Sequence, residues 1–266
     1  MQDFRITQIA PDAYHILDAG EDSFYLVVGS QRAAVIDTGI TPGGKILPII
    51  RQLTDKPLVL ALTHAHIDHF HHMDEFETVY MSHREFEMGQ AVLHHMMAGK
   101  DLNLAGTLDI QTGDIIDLGN EQLEVCLVPG HTPGSAMFLA KQRNLLFTGD
   151  AIGSGYGVWM QTPGALPLTV YYGSLRALIR WLVDRGGGMR FFGGHNMQQF
   201  QSTWVPHYNP LNLGLLCDLA DLVGKICSGE IVGRASNADK VFSLEPALYA
   251  CYGRAEIQYL PSRIRE

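Results

Sequence analysis

Short runs of apolar and β-branched residues, separated by turn residues, fill the beginning of the chain. This pattern predicts four strands, at 4–9, 14–17, 24–28 and 33–36. Thr41 and Pro42 then form a typical helix start, with a hydroxyl at the N-cap and proline at the first helical position. Apolar residues recur at helical spacing over 46–53, so we expect a helix that ends near Asp55. A further apolar run predicts a strand at 57–62.

The middle and the end of the chain alternate between predicted strands and predicted helices. Strands are expected at 78–81, 108–111, 114–117, 123–128, 136–140, 144–148 and 189–192. Helices are expected at 83–98, 169–185 and 210–227, and the second of these has the clearest amphipathic pattern. Polar or glycine-rich composition predicts loops at 99–107 and 149–168, and a strand pair near 240–244 and 247–260 ends the chain.

This order of elements predicts an α/β fold. Two similar halves, each a sheet with helices on one side, would form a four-layer αββα sandwich. No exact repeat proves that pseudo-symmetry, and no stretch has the composition of a domain linker. We therefore expect residues 1–266 to form a single domain, with a helix–strand extension that starts at about residue 205.

Composition narrows the expected partners and compartment. The chain has 19 basic and 28 acidic residues, a net charge of −9, and no basic cluster, which argues against nucleic acid as a partner. Its four cysteines are far apart, so we expect free thiols in a reducing compartment. The sequence has neither a signal peptide nor a run of about 20 apolar residues. We expect a cytoplasmic protein that has no membrane association, and a homo-oligomer is compatible with the sequence.

Four metal-capable side chains follow the predicted strand 57–62, within the stretch Thr63-His64-Ala65-His66-Ile67-Asp68-His69. Residues two apart in an extended segment point the same way, so His64 and His66 can converge on one metal ion. Asp68 and His69 lie past the bend and can reach a second ion. Imidazole and carboxylate together suit zinc, or iron and manganese at higher coordination. The alternative is a surface run of histidines.

Three later candidate ligands also lie at the ends of predicted strands. His131 lies in a turn between two strands, Asp150 ends an apolar strand, and His195 follows strand 189–192. Each alone would more often be structural. With the first loop they supply five histidines and two aspartates, which is the number that a two-metal site needs when one carboxylate bridges the ions.

This ligand set resembles that of the metallo-β-lactamase superfamily of metal-dependent hydrolases. The similarity covers roughly residues 12–200 and includes all five motif positions. The resemblance implies that the first metal ion is bound by His64, His66 and His131. It implies that the second is bound by Asp68, His69 and His195, and that Asp150 bridges the two ions. Asp37, after strand 33–36, matches the aspartate that orients the metal loop in this family.

The ligand set also separates branches of the superfamily. β-Lactamases of this fold typically lack the bridging aspartate that Asp150 provides, and flavodiiron proteins carry glutamate at the position of His66. Persulfide dioxygenases bind a single iron ion and usually lack a working second site. The full set most resembles hydroxyacylglutathione hydrolases and acyl-homoserine lactonases. A phosphodiesterase is the main alternative, and an iron-dependent oxidoreductase or a β-lactamase is less favoured.

The resemblance implies a hydrolase that uses two divalent ions, with zinc expected and iron or manganese as alternatives. A hydroxide that bridges the ions would attack the carbonyl of an ester, lactone or thioester, because coordination lowers the pKa of water to around 7. Asp68 could pass a proton to the leaving group, so Asp68 and Asp150 are the expected catalytic residues. The substrate is expected to be a small molecule. Tyr156, Trp159 and Tyr208 are candidate substrate contacts, with ordinary packing as the equal alternative.

Overall fold

The computed structural model describes residues 4–41, 44–96, 103–154, 157–196, 211–236, 243 and 245–265. A six-stranded sheet in these ranges follows the chain order from its first strand to its sixth. Its strands are β1 (Arg5–Ala10), β2 (Ala13–Leu17), β3 (Ser23–Val28), β4 (Ala33–Ile36), β5 (Leu58–Ala61) and β6 (Val79–Tyr80). The first four strands are antiparallel, whereas β4, β5 and β6 run parallel to one another.

A second sheet of five strands faces the first and has the order β12-β10-β9-β8-β7. Its members are β7 (Ile115–Asp117), β8 (Gln122–Leu127), β9 (Ala136–Ala140), β10 (Leu145–Gly149) and, after β11 (Val158–Met160), β12 (Arg190–Gly193). The β10–β12 pair is parallel and the other pairs are antiparallel. Consequently β8, β10 and β12 run the same way, and their carboxyl ends meet at one edge.

The main core lies between these two sheets. Alternation along β3 sends Tyr25 and Val27 inward and Phe24 and Leu26 to the outer face, as the two-residue period of a strand requires. The inner side chains meet apolar side chains of the second sheet, among them Val125, Phe138, Leu145, Phe147 and Phe192. The β9 strand is buried along its whole length, which explains why its sequence is continuously apolar.

Helices cover the outer face of each sheet. On the first sheet these are α1 (Leu47–Ile50) and α2 (Ile67–Phe70), and further along the chain α3 (Gln90–Met96) contributes Leu93. On the second sheet they are α4 (Leu168–Val183) and α5 (Leu213–Ser228), which pack against each other. The four layers are therefore helices, sheet, sheet and helices, and the predicted αββα sandwich is confirmed.

A third, smaller sheet joins the end of the chain to the middle. Its order is β11-β15-β14-β13, where β13 is Arg234–Ala235, β14 is Leu248–Tyr252 and β15 is Ala255–Tyr259. The β11 strand pairs in parallel with β15, and α5 packs on β14 and β15. The extension after residue 205 therefore supplies β15, which pairs with β11, a strand within the predicted loop 149–168. The number of domains stays a prediction.

The predicted helix after Thr41 is shorter than its periodicity suggested. The observed α1 begins after Ile46, so Ile46 rather than Thr41 occupies the N-cap position. The Thr41 N–H donates to Asp18 at 2.9 Å. The carboxylate of Glu75 caps the helix from outside, accepting the N–H groups of Ile46 and Leu47 at 3.1 Å each. Residues 42–43 of the predicted start lie outside the described ranges.

Four other predicted elements differ from the structure. The helix expected at 83–98 is a 3₁₀ segment at His83–Met88 followed by α3, because Gly89 interrupts it with a φ of +78°. The strand expected at 108–111 reduces to a single bridge between Tyr80 and Leu108. The loop 149–168 contains β11, and the strand expected at 247–260 is a hairpin that turns at Gly253. Most of 240–244 lies outside the described ranges.

Within these ranges, no helix combines the length and the apolar character that a membrane span would require.

Candidate metal centre

Side chains from both sheets meet at the edge where β5, β8, β10 and β12 end. The loop after β5 carries His64 and His66, and α2 carries Asp68 and His69. The turn after β8 carries His131. Asp150 directly follows β10, and His195 lies shortly after the end of β12. A hydrogen bond of 2.7 Å from the N–H of Ala136 to the carbonyl of Thr63 joins the two sheets beside these loops.

The first ligand group consists of His64, His66 and His131. One ring nitrogen from each lies within 4.8 Å of the others, and all three rings are buried. The Nε2 atom of His131 lies 3.1 Å from Nδ1 of His66, so these two nitrogens face the same point. The alternative interpretation, a surface run of histidines, is wrong, because His64, His66 and His69 are all buried.

The second ligand group consists of Asp68, His69 and His195. Their candidate ligand atoms also lie within 4.8 Å of one another. The Oδ2 atom of Asp68 is 3.6 Å from Nε2 of His69 and 3.6 Å from Nε2 of His195. Gly194 allows this approach, because a Cβ atom there would lie 2.3 Å from Asp150 and 2.6 Å from the ring of His69.

Asp150 lies between the two groups. Its Oδ2 atom is 3.2 Å from Nε2 of His195, 3.8 Å from Nε2 of His69 and 4.0 Å from Nε2 of His131. Its other oxygen, Oδ1, accepts a hydrogen bond of 3.0 Å from the hydroxyl of Ser154. One carboxylate oxygen therefore faces ligands of both groups.

The donor set fits two divalent ions. Imidazole and carboxylate are the ligands that zinc uses, and three protein ligands with an open position are typical of catalytic zinc sites. The Nε2 atoms of His64 and His69 are buried and have no hydrogen-bond partner among the described residues. Buried polar atoms are normally paired, so these nitrogens are consistent with ligands that face an ion.

The histidines of the first group are oriented by uncharged partners. The Thr63 hydroxyl lies 3.1 Å from Nδ1 of His64. Nδ1 of His131 lies 2.8 Å from the carbonyl oxygen of Trp159, which belongs to β11. A backbone carbonyl accepts only, so His131 donates from Nδ1 and leaves Nε2 for a metal ion.

The histidines of the second group are oriented by carboxylates. Nδ1 of His69 lies 2.9 Å from Oδ2 of Asp37, which also accepts the Thr63 hydroxyl at 2.7 Å. Nδ1 of His195 lies 2.8 Å from Oδ1 of Asp22. Such carboxylate–histidine pairs fix the ring and raise the basicity of the other nitrogen.

These surroundings lower the proton affinity of the first group. Burial, with the neighbouring imidazoles, holds the pKa of His64 well below its usual range. Burial lowers the pKa of His66 to about 3, with His131 as a further cause, and burial also lowers the pKa of His131. These rings are therefore neutral at physiological pH, which is the form that binds a metal ion.

In the second group the pKa values of both histidines are raised. Burial acts to lower the pKa of His69, but the carboxylates of Asp68, Asp37 and Asp150 raise it to about 9. The pKa of His195 is likewise raised well above its usual range, because Asp150 and Asp22 outweigh burial. Burial acts to raise the pKa values of Asp68 and Asp150, but the neighbouring histidines hold both below their usual range.

Comparison with known proteins agrees with this geometry. The profile of the metallo-beta-lactamase superfamily matches residues 18–195, which is more than half of the chain and contains every predicted ligand. The chain belongs to the metallo-β-lactamase superfamily. The family and the ligand groups together support a metal-dependent hydrolase.

Relatives within the superfamily have more than one activity. An acyl-coenzyme A thioesterase, MBLAC2 from Bos taurus, is 31% identical over 224 residues, with 69% of this chain and 78% of that protein covered. A mitochondrial persulfide dioxygenase, ETHE1 from Mus musculus, is 30% identical over 129 residues, with 46% and 44% covered. A solved metallo-beta-lactamase from Pontibacter korlensis has a TM-score of 0.61 at 18% identity over 84% of this chain and 99% of that one, which supports the fold alone.

The superfamily ligands predicted from the sequence come together, whereas the predicted substrate contacts are less defined. Trp159 is half-buried in β11 and its carbonyl orients His131. Tyr156 and Tyr208 lie outside the described residues, so their roles stay predictions. Asp37 contacts the metal loop through the backbone N–H and the hydroxyl of Thr63, as the family resemblance implied.

Three residues near the centre have roles that no sequence pattern indicated. Asp22 orients His195, and Ser154 joins Asp150 to the N–H of Gly194 through bonds of 3.0 and 3.1 Å. Glu85 is fully buried and accepts hydrogen bonds from both loops of the first group. Ser82 and Glu85 have the spacing of a helix capping box, which would give Glu85 only a local role.

Proposed function

We propose that the protein is a dinuclear metal-dependent hydrolase that cleaves the acyl thioester bond of a small molecule. The observation that carries this proposal is the convergence of two three-residue ligand groups on the carboxylate of Asp150. Both groups lie at one edge of the αββα sandwich, on loops that follow rigid strands. Catalytic residues are commonly carried by loops that a rigid scaffold positions in this way.

The choice of a thioester within ester-type bonds is supported by the thioesterase relative from Bos taurus, which aligns with 69% of this chain. Esters and lactones require the same attack on a carbonyl carbon and differ in the leaving group. A thioester has the better leaving group, because a thiol is more acidic than an alcohol. We therefore place thioesters first and esters or lactones second.

The first ion would be held by His64, His66 and His131, and the second by Asp68, His69 and His195, with Asp150 shared by both positions. We propose zinc as the native metal, because the first group contains only histidines and three histidines are a typical catalytic zinc set. When bound, ions at these positions lower the pKa of water to about 7 and polarise a carbonyl oxygen.

Asp68 is the residue that we propose for proton transfer. Its side chain is 27% exposed, compared with 17% for Asp150, so it can reach both water and substrate. Its lowered pKa keeps it ionised at neutral pH, with His69 and His195 as the main causes that oppose burial. Asp68 therefore accepts a proton from the attacking water and delivers it to the leaving sulfur as the carbon–sulfur bond breaks.

The surroundings of the first group are proposed to contact the acyl substrate. The backbone carbonyl of Trp159 in β11 contacts His131, and we propose the half-buried side chain of Trp159 as a substrate contact. All four cysteines are free thiols, which supports the reducing, cytoplasmic setting that we propose.

A substrate panel tests this proposal. The metal-loaded protein is incubated with an acyl-coenzyme A thioester, a glutathione thioester, p-nitrophenyl acetate, a homoserine lactone and bis-p-nitrophenyl phosphate. We expect release of free thiol from a thioester to be fastest, and about two zinc ions per chain by metal analysis. Activity on the phosphodiester alone would instead support a phosphodiesterase.

The second candidate is a persulfide dioxygenase, which the ETHE1 relative favours over 46% of the chain. That activity needs one iron ion, and it leaves the second ligand group without a role. Here Asp68, His69 and His195 have converged on a common point. One iron ion per chain, together with consumption of dioxygen in the presence of a glutathione persulfide, would overturn the hydrolase proposal.

A further inference from the structure

Glu85 is a buried carboxylate that lies outside both ligand groups. It belongs to the 3₁₀ segment His83–Met88 on the outer side of the first sheet, and its relative exposure is 0%. Its Oε1 atom accepts the Thr132 hydroxyl at 2.6 Å and the N–H of Gly134 at 2.9 Å. Its Oε2 atom accepts the N–H of Ala65 at 3.1 Å. Every contact in this set is a donor directed at the carboxylate.

The three donors come from the two loops that carry the first ligand group. Ala65 lies between His64 and His66 in the chain, and Thr132 directly follows His131. Gly134 belongs to the same turn, where a Cβ atom would lie 2.7 Å from Oε1 of Glu85, so the close approach requires glycine. One carboxylate therefore connects a loop of the first sheet to a turn of the second.

We propose that Glu85 is a positioning residue that holds these two loops at the separation at which His64, His66 and His131 share one metal ion. This inference rests on the proposed metal centre and adds a residue that touches none of its ligands. Metal affinity at the first position should then depend on Glu85, whereas affinity at the second should not. The two histidines of the second group are instead oriented by Asp37 and Asp22.

Only a carboxylate satisfies this arrangement. Glutamine has one acceptor oxygen, so its amide NH₂ would face either the N–H of Ala65 or the two donors of the turn. A donor that faces another donor leaves both groups unpaired in a buried site, which is strongly unfavourable. The Thr132 hydroxyl also lies 2.8 Å from the hydroxyl of Ser135, which can donate to it while Thr132 donates to Glu85.

The location of Glu85 is unfavourable for a charge, and this supports a functional reason for its presence. Burial raises the pKa of Glu85 to about 7, although the hydrogen bonds from Thr132, Ala65 and Gly134 act to lower it. A buried carboxyl group is seldom kept unless its hydrogen bonds are required.

The sharpest test uses two variants, each of which leaves only one of the two metal positions complete. In His195→Ala only the first position is complete, and in His131→Ala only the second is. Zinc affinity is measured by chelator competition in each background, with and without Glu85→Gln. We expect Glu85→Gln to weaken zinc binding by about tenfold or more in the His195→Ala background, at the lower end of what outer partners of metal ligands contribute. In the His131→Ala background we expect a change of less than about twofold.

A neighbouring glutamate supplies the matched control. Glu87 lies in the same 3₁₀ segment, its side chain is 55% exposed and it contacts Arg84 at the surface. Glu87→Gln makes the same chemical change without touching either loop, so zinc affinity should stay at the wild-type value in both backgrounds. Circular dichroism of the metal-free proteins checks that each variant is folded.

Milder variants at Thr132 keep the inference testable if Glu85→Gln does not fold. Thr132→Val removes one donor to Glu85 and keeps the shape of the side chain, whereas Thr132→Ser retains the hydroxyl. We expect weaker zinc binding at the first position in Thr132→Val and recovery in Thr132→Ser. Equal affinities for wild type, Glu85→Gln and Thr132→Val at the first position would overturn the inference.

The outcomes also separate this inference from the proposed function. A wild-type protein that binds zinc at both positions but hydrolyses no thioester would overturn only the proposed function. Zinc binding at both positions that does not respond to Glu85→Gln would overturn only the role of Glu85. A wild-type protein that binds no metal ion would overturn both.

Discussion

The two ligand groups contain similar side chains but are supported in different ways. The first consists of three histidines, two of which contact a hydroxyl and a backbone carbonyl, at Thr63 and Trp159. The second contains two histidines that contact the carboxylates of Asp37 and Asp22. The pKa of His66 is lowered to about 3, chiefly by burial, whereas nearby carboxylates overcome burial and raise the pKa of His69 to about 9. The partner of the ring, rather than the ring itself, separates the two positions.

Because of this difference, the proposed two-ion site would bind two similar ions unequally. The first group is neutral in the metal-free protein, so an ion can bind without displacing a proton from it. The second group holds protons on His69 and His195, and an ion must compete with them, although the surrounding carboxylates then stabilise its charge. The anchoring of the loops also differs, because Glu85 accepts hydrogen bonds from the backbone of both loops that carry the first group. We expect variants to affect the two positions separately, except at the shared carboxylate.

The largest effect is expected at Asp150, which belongs to both positions. Asp150→Ala removes the oxygen that faces His195, His69 and His131, so both positions lose a partner. We expect turnover to fall by more than about 100-fold, beyond what the loss of an outer partner causes. Metal analysis after dialysis against a chelator should find fewer ions than in the wild type.

Asp184→Ala provides a control for this variant, because Asp184 is an exposed aspartate at the end of α4. It should keep wild-type turnover and metal content. If Asp150→Ala retained both ions and wild-type turnover, Asp150 would not be shared and the two positions would be independent.

A smaller and more selective effect is expected at Asp37. Its φ of +59° is a conformation that asparagine tolerates, so Asp37→Asn removes the charge without straining the backbone. The single amide oxygen can no longer accept from both the Thr63 N–H and His69, because these groups bond different oxygens of Asp37. We expect zinc affinity at the second position to fall by about 10–100-fold. Stepwise chelator competition should find a smaller loss at the first position, which Asp37 reaches only through the Thr63 hydroxyl beside His64.

Asp12 offers a matched control for this substitution. It also has a positive φ, +55°, but its side chain is 67% exposed and distant from the ligands in the fold. Asp12→Asn should leave both zinc affinities at wild-type values. Equal weakening of both positions in Asp37→Asn would contradict the separation between the two groups.

The sequence indicated the residues that converge at the candidate centre better than the residues that support them, for a physical reason. Ligands such as His64 and His131 follow strands at short range, and the αββα order brings those strand ends to one edge. The supports act across the fold: Asp22 reaches His195 over 173 positions in the chain numbering, and Trp159 contributes a backbone carbonyl that carries no residue signature. Glu85 lies three residues after Ser82, and local and long-range uses of a carboxylate have the same sequence pattern, so nothing in the sequence marks Glu85 as a support.

The third sheet shows the same limit. Loop 149–168 has the glycine and proline content of an irregular segment, yet residues 158–160 form a strand because β15 supplies parallel hydrogen bonds. Gly157, with a φ of +76°, lets the chain pass within contact of Glu256, where a Cβ atom would lie 2.7 Å from the carbonyl oxygen. A strand of three residues has no periodicity of its own, so only the tertiary partner reveals it.

The smallest expected effect concerns the pH dependence of stability through Glu85. Its pKa rises from the usual value of 4.5 to about 7 in the folded protein, chiefly because of burial. Between these pH values the folded state keeps a proton that the unfolded chain has released, so the free energy of unfolding decreases as pH rises. Glu85→Gln cannot titrate, and its stability should therefore decline less over the same range.

Urea unfolding of the metal-free proteins from about pH 5 to about pH 8 measures this contribution. The other titratable groups are common to wild type and Glu85→Gln, so the change in their difference with pH isolates Glu85 even if the variant is less stable throughout. Glu87→Gln should keep the titration of Glu85, shifted only slightly to lower pH, because Glu87 lies at the surface and its charge is the smallest named cause of the raised pKa of Glu85. Parallel profiles for wild type and Glu85→Gln would mean that Glu85 is ionised throughout this range. The contrast between the two ligand groups would then rest on the ring partners alone.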